Sequence, residues 1–307
     1  MSLPHIALVG ATGTLGPCVL KALVAASFPV TVLTRVGGGS KISKLLAGSN
    51  ATIIVKEVDY TSHRSLVEAL SSVDVVVCTL GSQDLFETQR SLIDASVEAC
   101  VKRFIPSEYG NGANEKVRRF PLLWADKDKT QTYLEEQVAA HSAFTYSVIN
   151  TSSFLDWQLE RGFMVNLKEH TATIYDGGNV FNSVTTLDTI AEAVVAVIRH
   201  PEETKNRHVF VHDAAITQNQ LIRISKKIDG KEWKTTPMST DHTEKDAYEA
   251  VEQGDHMIAT LGFIARSCWG PGFGQDFTEK LDNDMLGLPV MKEEDVENLM
   301  RGIMESY

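Results

Sequence analysis

Two periodicities alternate along the first half of the chain. Short contiguous apolar runs at residues 5–9, 30–34, 52–55, 73–79, 103–106 and 144–150 read as strands. Between them, residues 15–26, 42–46, 65–70, 85–100 and 127–140 read as helices. In the first of these, Leu15, Val19, Leu20, Leu23 and Val24 lie at helical spacing. Strands that are apolar on both faces, alternating with helices at this interval, predict βαβ units and a parallel sheet covered on both sides. The expected fold class is therefore α/β, a doubly wound parallel sheet of the Rossmann type.

Beyond residue 150 the rhythm is irregular. Residues 173–175 read as a strand and Asp176, Gly177, Gly178 and Asn179 as a turn. Residues 187–199 read as a strong helix behind Ser, Thr and Asp caps, 208–211 as a returning strand, and 218–227 and 293–304 as helices. This predicts a nucleotide-binding domain over 1–150, rejoined by parts of 180–212. A smaller α/β substrate-binding region then occupies most of 151–307. Gly37, Gly38, Gly39 and Ser40 form a loop inside the first domain, and no internal repeat or low-complexity linker is visible.

Composition narrows the function. The 307 residues are 43% hydrophobic and 22% charged, enough apolar content for a sizeable core. With 29 Lys plus Arg against 40 Asp plus Glu, the net charge is −11. Such a surface repels a phosphate backbone, and no basic block compensates, so nucleic acid is not an expected partner. No apolar stretch reaches the roughly 18–20 residues a membrane helix needs. The N-terminus carries no basic segment of a signal peptide. Cys18, Cys78, Cys100 and Cys268 lack CxxC spacing, which suits reduced thiols. The expectation is a soluble, cytoplasmic monomer or homodimer acting on a small molecule, away from membranes.

The first strand runs into Gly10, Ala11, Thr12, Gly13, Thr14, Leu15 and Gly16, then into a helix. Gly10 permits the tight turn, Gly13 lets the backbone approach a pyrophosphate, and Gly16 allows close packing of helix on sheet. Backbone N–H groups of this segment, Thr12, Thr14 and Leu15 included, and the positive end of the helix dipole would then face the phosphates. The second strand ends in Arg35, with Lys41 and Lys44 following and no Asp or Glu anywhere in 29–55. A guanidinium suits a 2′-phosphate, so the cofactor indicated is NADP(H) rather than NAD, although a solvated basic loop would look the same. Thr79, Leu80, Gly81 and Ser82, and then Pro106, Ser107, Glu108, Tyr109 and Gly110, fall at strand ends where a nicotinamide is expected. Asp59 and Tyr60 read equally as an adenine contact or a turn capping the next helix.

The segment Arg103 to Gly110, taken with the glycine turn and Arg35, resembles the isoflavone-reductase-like and NmrA-like group of atypical short-chain dehydrogenases/reductases. The similarity continues through residues 144–150, Phe154 and residues 176–179 to about residue 212. The resemblance implies an NADPH-dependent reductase delivering hydride to a conjugated or aromatic metabolite (an enone, quinone methide, imine or carbonyl) in secondary metabolism. It implies a lysine general acid/base on the helix after the turn, at Lys127, with Lys129 as the alternative in register. It also implies cofactor contacts at Thr79, Gly81, Ser107, Glu108, Lys127, Asn150 and Phe154, and substrate contacts at Tyr109, Phe154 and Trp157. Phe154, Trp157, Phe163 and Met164 read equally as pocket lining or core.

Two other functions remain open: an NADP-sensing regulator without turnover, and a non-redox isomerase or dehydratase on the same scaffold. The Tyr-x-x-x-Lys dyad of ordinary short-chain dehydrogenases is absent, as is a Gly-x-Ser-x-Gly hydrolase elbow. No metal site is expected. His208 and His212 lie in a β-branched run without a third ligand near them in sequence.

Overall fold

The structure, a computed structural model, describes residues 3–45, 53–81, 84–273 and 275–307. The chain divides into two compact units. Unit 1 comprises Met1–Tyr109, Leu123–Ile149 and Ile190–Val209, and unit 2 comprises Gly110–Leu122, Asn150–Thr189 and Phe210–Tyr307.

With elements numbered along the chain, unit 1 is built from β1 (Ile6–Val9), α1 (Gly16–Ala25), β2 (Val30–Arg35), α2 (Gly39–Leu45), β3 (Ile53–Val58), α3 (His63–Leu70), β4 (Val75–Cys78), α4 (Leu85–Glu98), β5 (Arg103–Ile105), α6 (Leu123–Ala140) and β6 (Thr145–Asn150). The helix α8 (Leu187–Arg199) and strand β10 (Arg207–Phe210) return to it. The seven strands stand in the order β10, β6, β5, β4, β1, β2, β3. The pairs β1–β2, β1–β4, β2–β3, β4–β5 and β5–β6 are all parallel. The order reverses between β1 and β4, which leaves a crevice at their carboxyl ends.

The central strands are apolar on both faces because helices cover both. Ile6, Ala7, Leu8 and Val9 are fully buried, as are Val76, Val77 and Cys78. Leu66 and Leu70 of α3 and Leu92 and Ile93 of α4 pack into one cluster with Ala7, Val9 and Val76. Burying a side chain of this size contributes roughly 1.5–3 kcal/mol.

A buried cation ties the returning segment to this sheet. Arg103 of β5 is only 7% exposed and donates to Thr145 Oγ1 at 2.6 Å, Ser147 Oγ at 2.7 Å, Thr204 Oγ1 at 3.2 Å and the Pro201 carbonyl at 2.6 Å. Burial pushes its pKa down, against the pull of the Glu202 carboxylate.

Unit 2 contains α5 (Glu115–Arg118), β7 (Ser153–Phe154), α7 (Leu155–Glu160), β8 (Thr171–Tyr175), β9 (Asn182–Thr185), β11 (Ala214–Ile216), α9 (Gln218–Asp229), β12 (Lys234–Met238), α10 (Thr240–Glu252), α11 (His256–Trp269), α12 (Asn283–Leu286) and α13 (Glu293–Glu305). Its strands form a three-stranded sheet, β11, β9, β7, and a parallel pair, β12 with β8. The α10–α11 hairpin is not among the elements expected from the sequence. Helix α10 buries only Thr240, Ala247 and Ala250, and Gly262 of α11 meets Ala247 so closely that an added Cβ would stand 2.7 Å from its methyl group. Contacts between small residues leave little amphipathic signal. Among the described residues, no helix is long and apolar enough to cross a membrane.

Candidate functional site

The glycine turn follows β1 and opens α1. Gly10 lies at φ +89°, and a Cβ there would stand 2.8 Å from the Thr79 carbonyl carbon and oxygen. Thr79 closes the turn from β4, its amide and hydroxyl both donating to the Val9 carbonyl at 2.8 and 2.9 Å. At Gly16 a Cβ would stand 2.2 Å from the Gly10 carbonyl oxygen. Gly13 differs. Its nearest neighbours would be 3.4 and 3.6 Å away, and Thr12, Gly13 and Thr14 form an exposed tip. Helix α1 begins without a side-chain cap, since Leu15 occupies that position and Pro17 follows. Amide donors of its first turn are thus left to an outside acceptor. These residues fit a pyrophosphate: an exposed tip whose central residue, Gly13, has no Cβ, an uncapped helix N-terminus, and strand ends at the reversal in strand order.

At the end of β2, Arg35 is exposed, and its guanidinium makes no hydrogen bond or ion pair with any described residue. Lys41 is exposed on α2, and the Lys44 side chain lies outside the described residues. Asp59 acts as a turn former, accepting from the Thr61 amide at 2.9 Å and the Thr61 hydroxyl at 2.7 Å ahead of α3. Gly81 is exposed with open space around it, and Ser82 lies outside the described residues.

The turn after β5 is buried. Ser107, Glu108 and Tyr109 are 5%, 2% and 6% exposed. Tyr109 takes φ +37°, a strained value for a side chain of its size, and its buried hydroxyl has no hydrogen-bond partner among the described residues. The Ser107 amide donates to Gln89 Oε1 at 2.7 Å, and its hydroxyl donates to the Leu80 carbonyl. Gln89 Nε2 reaches Thr130 Oγ1 at 3.3 Å, so α4 braces both the turn and α6. The sequence reading passed over Gln89. Its signal was a polar side chain on the stripe of Leu85, Leu92 and Ile93 that α4 buries.

Lys127 and Lys129 stand two residues apart on α6, hence on opposed sides of the helix. The Lys127 side chain is half-buried, and its ammonium donates to the backbone carbonyl of Glu108. Burial lowers its pKa, while the nearby Glu108 carboxylate opposes that shift. Lys129 is exposed, pairing with Asp126 at 3.7 Å and lying 5.8 Å from the Phe86 ring centre. Because α6 begins at Leu123, Lys127 lies in its second turn rather than at a solvated start.

Unit 2 holds the remaining candidates. Asn150 is fully buried at the end of β6, and its carbonyl accepts the Val211 amide at 3.0 Å. Phe154 is half-buried at the entry to α7. Trp157 stacks on Phe163 with ring centres 5.6 Å apart and carries the Arg161 guanidinium at 4.4 Å. Met164 belongs to the core of this unit. A cleft of about 380 Å³ is lined by Phe163, Met164, Asn166, Tyr175, Lys234 and Thr236, among others; Phe154 and Trp157 are not in its wall. His212 is buried against Ser183, ring nitrogen to hydroxyl 2.8 Å, and burial lowers its pKa.

The parallel sheet, its reversal between β1 and β4 and the uncapped glycine turn define a dinucleotide-binding protein of the Rossmann class. The chain belongs to the NmrA-like family, whose model matches residues 4–261. It is similar to "Oxidoreductase aprR" of Aspergillus flavus, 30% identical over 95% of this chain and 96% of that one. It is also similar to "Bifunctional pinoresinol-lariciresinol reductase 2" of Linum usitatissimum, 31% identical over 77% of this chain and 74% of the relative. Among solved structures, "AtPrR2 with NADP+ and (+)pinoresinol" superposes with a TM-score of 0.80 at 22% identity, covering 99% of both chains. At that identity the likeness is one of fold.

Proposed function

We propose that this NADPH-dependent oxidoreductase reduces a small conjugated or aromatic metabolite (an enone, quinone methide, imine or carbonyl) in secondary metabolism. The observation that carries the reading is Lys127, whose half-buried ammonium is anchored on the turn at the carboxyl end of β5. Bound NADPH would supply the hydride. Thr12, Gly13, Thr14, Leu15 and Gly16 would hold its pyrophosphate, Arg35 its 2′-phosphate, and Thr79, Gly81, Ser107 and Glu108 the crevice side of the sheet.

Lys127 has two tasks available to it. Its Nζ–H can give a proton to the oxygen or nitrogen that gains charge as the substrate is reduced, or it can stabilise that charge without transfer. Proton transfer is favoured by an ammonium whose pKa sits closer to neutrality than that of a free lysine, and burial moves it in that direction; stabilisation without transfer needs only that the charge be kept. The Glu108 carbonyl fixes the direction of the Nζ–H. Names of relatives such as pinoresinol and isoflavone reductases support a phenolic or aromatic substrate. Tyr109, Phe154 and Trp157 are the proposed aromatic contacts.

The test is loss of reduced-nicotinamide absorbance with a panel of conjugated carbonyls, quinone methides and imines. Turnover that disappears in Lys127→Met but survives in Lys129→Met is the expected result. Tight NADP binding with no turnover across the panel would mean a redox sensor. Product formation without NADPH consumption would mean a non-redox enzyme.

A further inference from the structure

The loop leaving β2 is held by an acidic side chain from the neighbouring strand. Glu57 stands opposite Thr34 in the β2–β3 register, next to the pair formed by Arg35 and Val58. Its Oε2 accepts the Gly37 amide at 2.9 Å, and its Oε1 accepts the Gly39 amide at 3.0 Å. These two donors hold the Glu57 carboxyl below the usual carboxylate range.

Glycine suits each of the three loop positions in this closure. Gly37 lies at φ +81°, a Cβ on Gly38 would stand 2.2 Å from Thr34 Oγ1, and one on Gly39 would stand 2.8 Å from Glu57 Oε1. In this register Glu57 shares the face of Thr34, whereas Arg35, one residue on, projects to the opposite face, so the two charges do not meet across the pair. Here both carboxylate oxygens face loop amides, and the Arg35 guanidinium is left without an ion pair among the described residues.

We propose that Glu57 is a positioning residue for recognition of the 2′-phosphate. It fixes the loop of Gly37, Gly38 and Gly39 against β3 from the face of Thr34, and both of its oxygens are engaged by the loop rather than by Arg35. The cation is thereby presented to a phosphate on a rigid strand end rather than on a mobile one. This inference rests on the reading of Arg35 as the 2′-phosphate ligand.

The experiment measures the dissociation constants of NADPH and NADH for the full chain, Glu57→Ala, Glu57→Gln and Arg35→Ala, with a thermal melt of each. Glu57→Ala is expected to lower the NADPH-over-NADH preference about tenfold, the scale of one or two net hydrogen bonds, with NADH affinity unchanged. Glu57→Gln keeps one acceptor oxygen and should fall between. A loss of fold stability would weaken both cofactors alike and leave their ratio unmoved, which would count against the proposal. Tighter NADPH binding in Glu57→Gln would overturn it, because the carboxylate would then be acting by repulsion. If Arg35→Ala keeps the preference, the reading of Arg35 fails and takes this inference with it. If Arg35→Ala loses the preference while both Glu57 variants keep it, the Glu57 inference alone fails.

Discussion

The Lys127 ammonium donates its hydrogen bond to the backbone carbonyl of Glu108, and the side chain of that same residue supplies the negative charge opposing the effect of burial. One residue therefore orients the lysine through its main chain and tunes it through its carboxylate. The two functions are separable, because a substitution at position 108 leaves the carbonyl in place.

Removal of the ammonium separates chemistry from folding. Lys127→Met should lower kcat by about 10²–10⁴-fold, the span of one general acid/base, with NADPH affinity little changed. The stability effect runs the other way. With its folded pKa depressed, Lys127 destabilises the fold fully below that pKa, and the penalty fades as pH rises towards the usual lysine range. Lys127→Met should therefore melt at or above the temperature of the parent at neutral pH. Lys129→Ala removes an exposed pair with Asp126 and should change stability by no more than about 0.5 kcal/mol, with turnover intact.

Neutralising the partner carboxylate shifts the titration. In Glu108→Gln the anion that raises the Lys127 pKa is gone and burial acts unopposed, so that pKa falls further. If Lys127 donates the proton, kcat/KM declines as pH rises through its pKa. The alkaline limb of the profile should then move to lower pH in Glu108→Gln, and Lys127→Arg, whose guanidinium does not give up its proton, should lose turnover as Lys127→Met does. A limb that stays in place in Glu108→Gln would show that another group governs it.

Much of unit 1 was legible because its signal is local. The contiguous apolar strands, the glycine turn and the end of α8 at Arg199 need only neighbours in sequence. The expected strand over 52–55 instead runs Ile53–Val58, since Lys56 and Glu57 break the apolar run while the β2–β3 pairing continues beneath them. That extension is what brings Glu57 to the glycine loop, and no count of charges in 29–55 would have found it. Gln89 and Arg103 were illegible for the same reason: their partners lie 18 or more residues away. In unit 2, β12 exposes all five of its residues, so no alternation marks it as a strand.

Arg103 illustrates how far such a distant network supports the fold. Arg103→Ala would leave the Thr145, Ser147 and Thr204 hydroxyls and the Pro201 carbonyl short of a donor in a buried setting. Buried groups stranded in this way cost about 1–3 kcal/mol each before relaxation, and a total of about 3 kcal/mol is expected once water enters, since the Thr145 and Ser147 hydroxyls keep the bonds they donate to the Lys102 and Thr204 carbonyls. Denaturant unfolding should report a lower midpoint. A midpoint unchanged in Arg103→Ala would mean that the segment after α8 is held by its apolar contacts alone.

The three glycines of the first turn should respond differently to a single methyl group. At Gly10 the backbone is left-handed, and the added carbon would press on the Thr79 main chain at 2.8 Å; at Gly16 it would meet the Gly10 carbonyl oxygen at 2.2 Å. Both contacts are with backbone, which cannot rotate away, so Gly10→Ala and Gly16→Ala should each destabilise by at least about 1–3 kcal/mol. Gly13→Ala meets nothing closer than 3.4 Å and sits on the exposed tip, so its melting temperature should match that of the parent. Yet the same methyl would occupy the path by which a pyrophosphate reaches the backbone. Cofactor titration should therefore show weakened binding of NADPH and NADH alike in a fully folded Gly13→Ala protein. Unchanged affinity in that variant would move the phosphates off this turn.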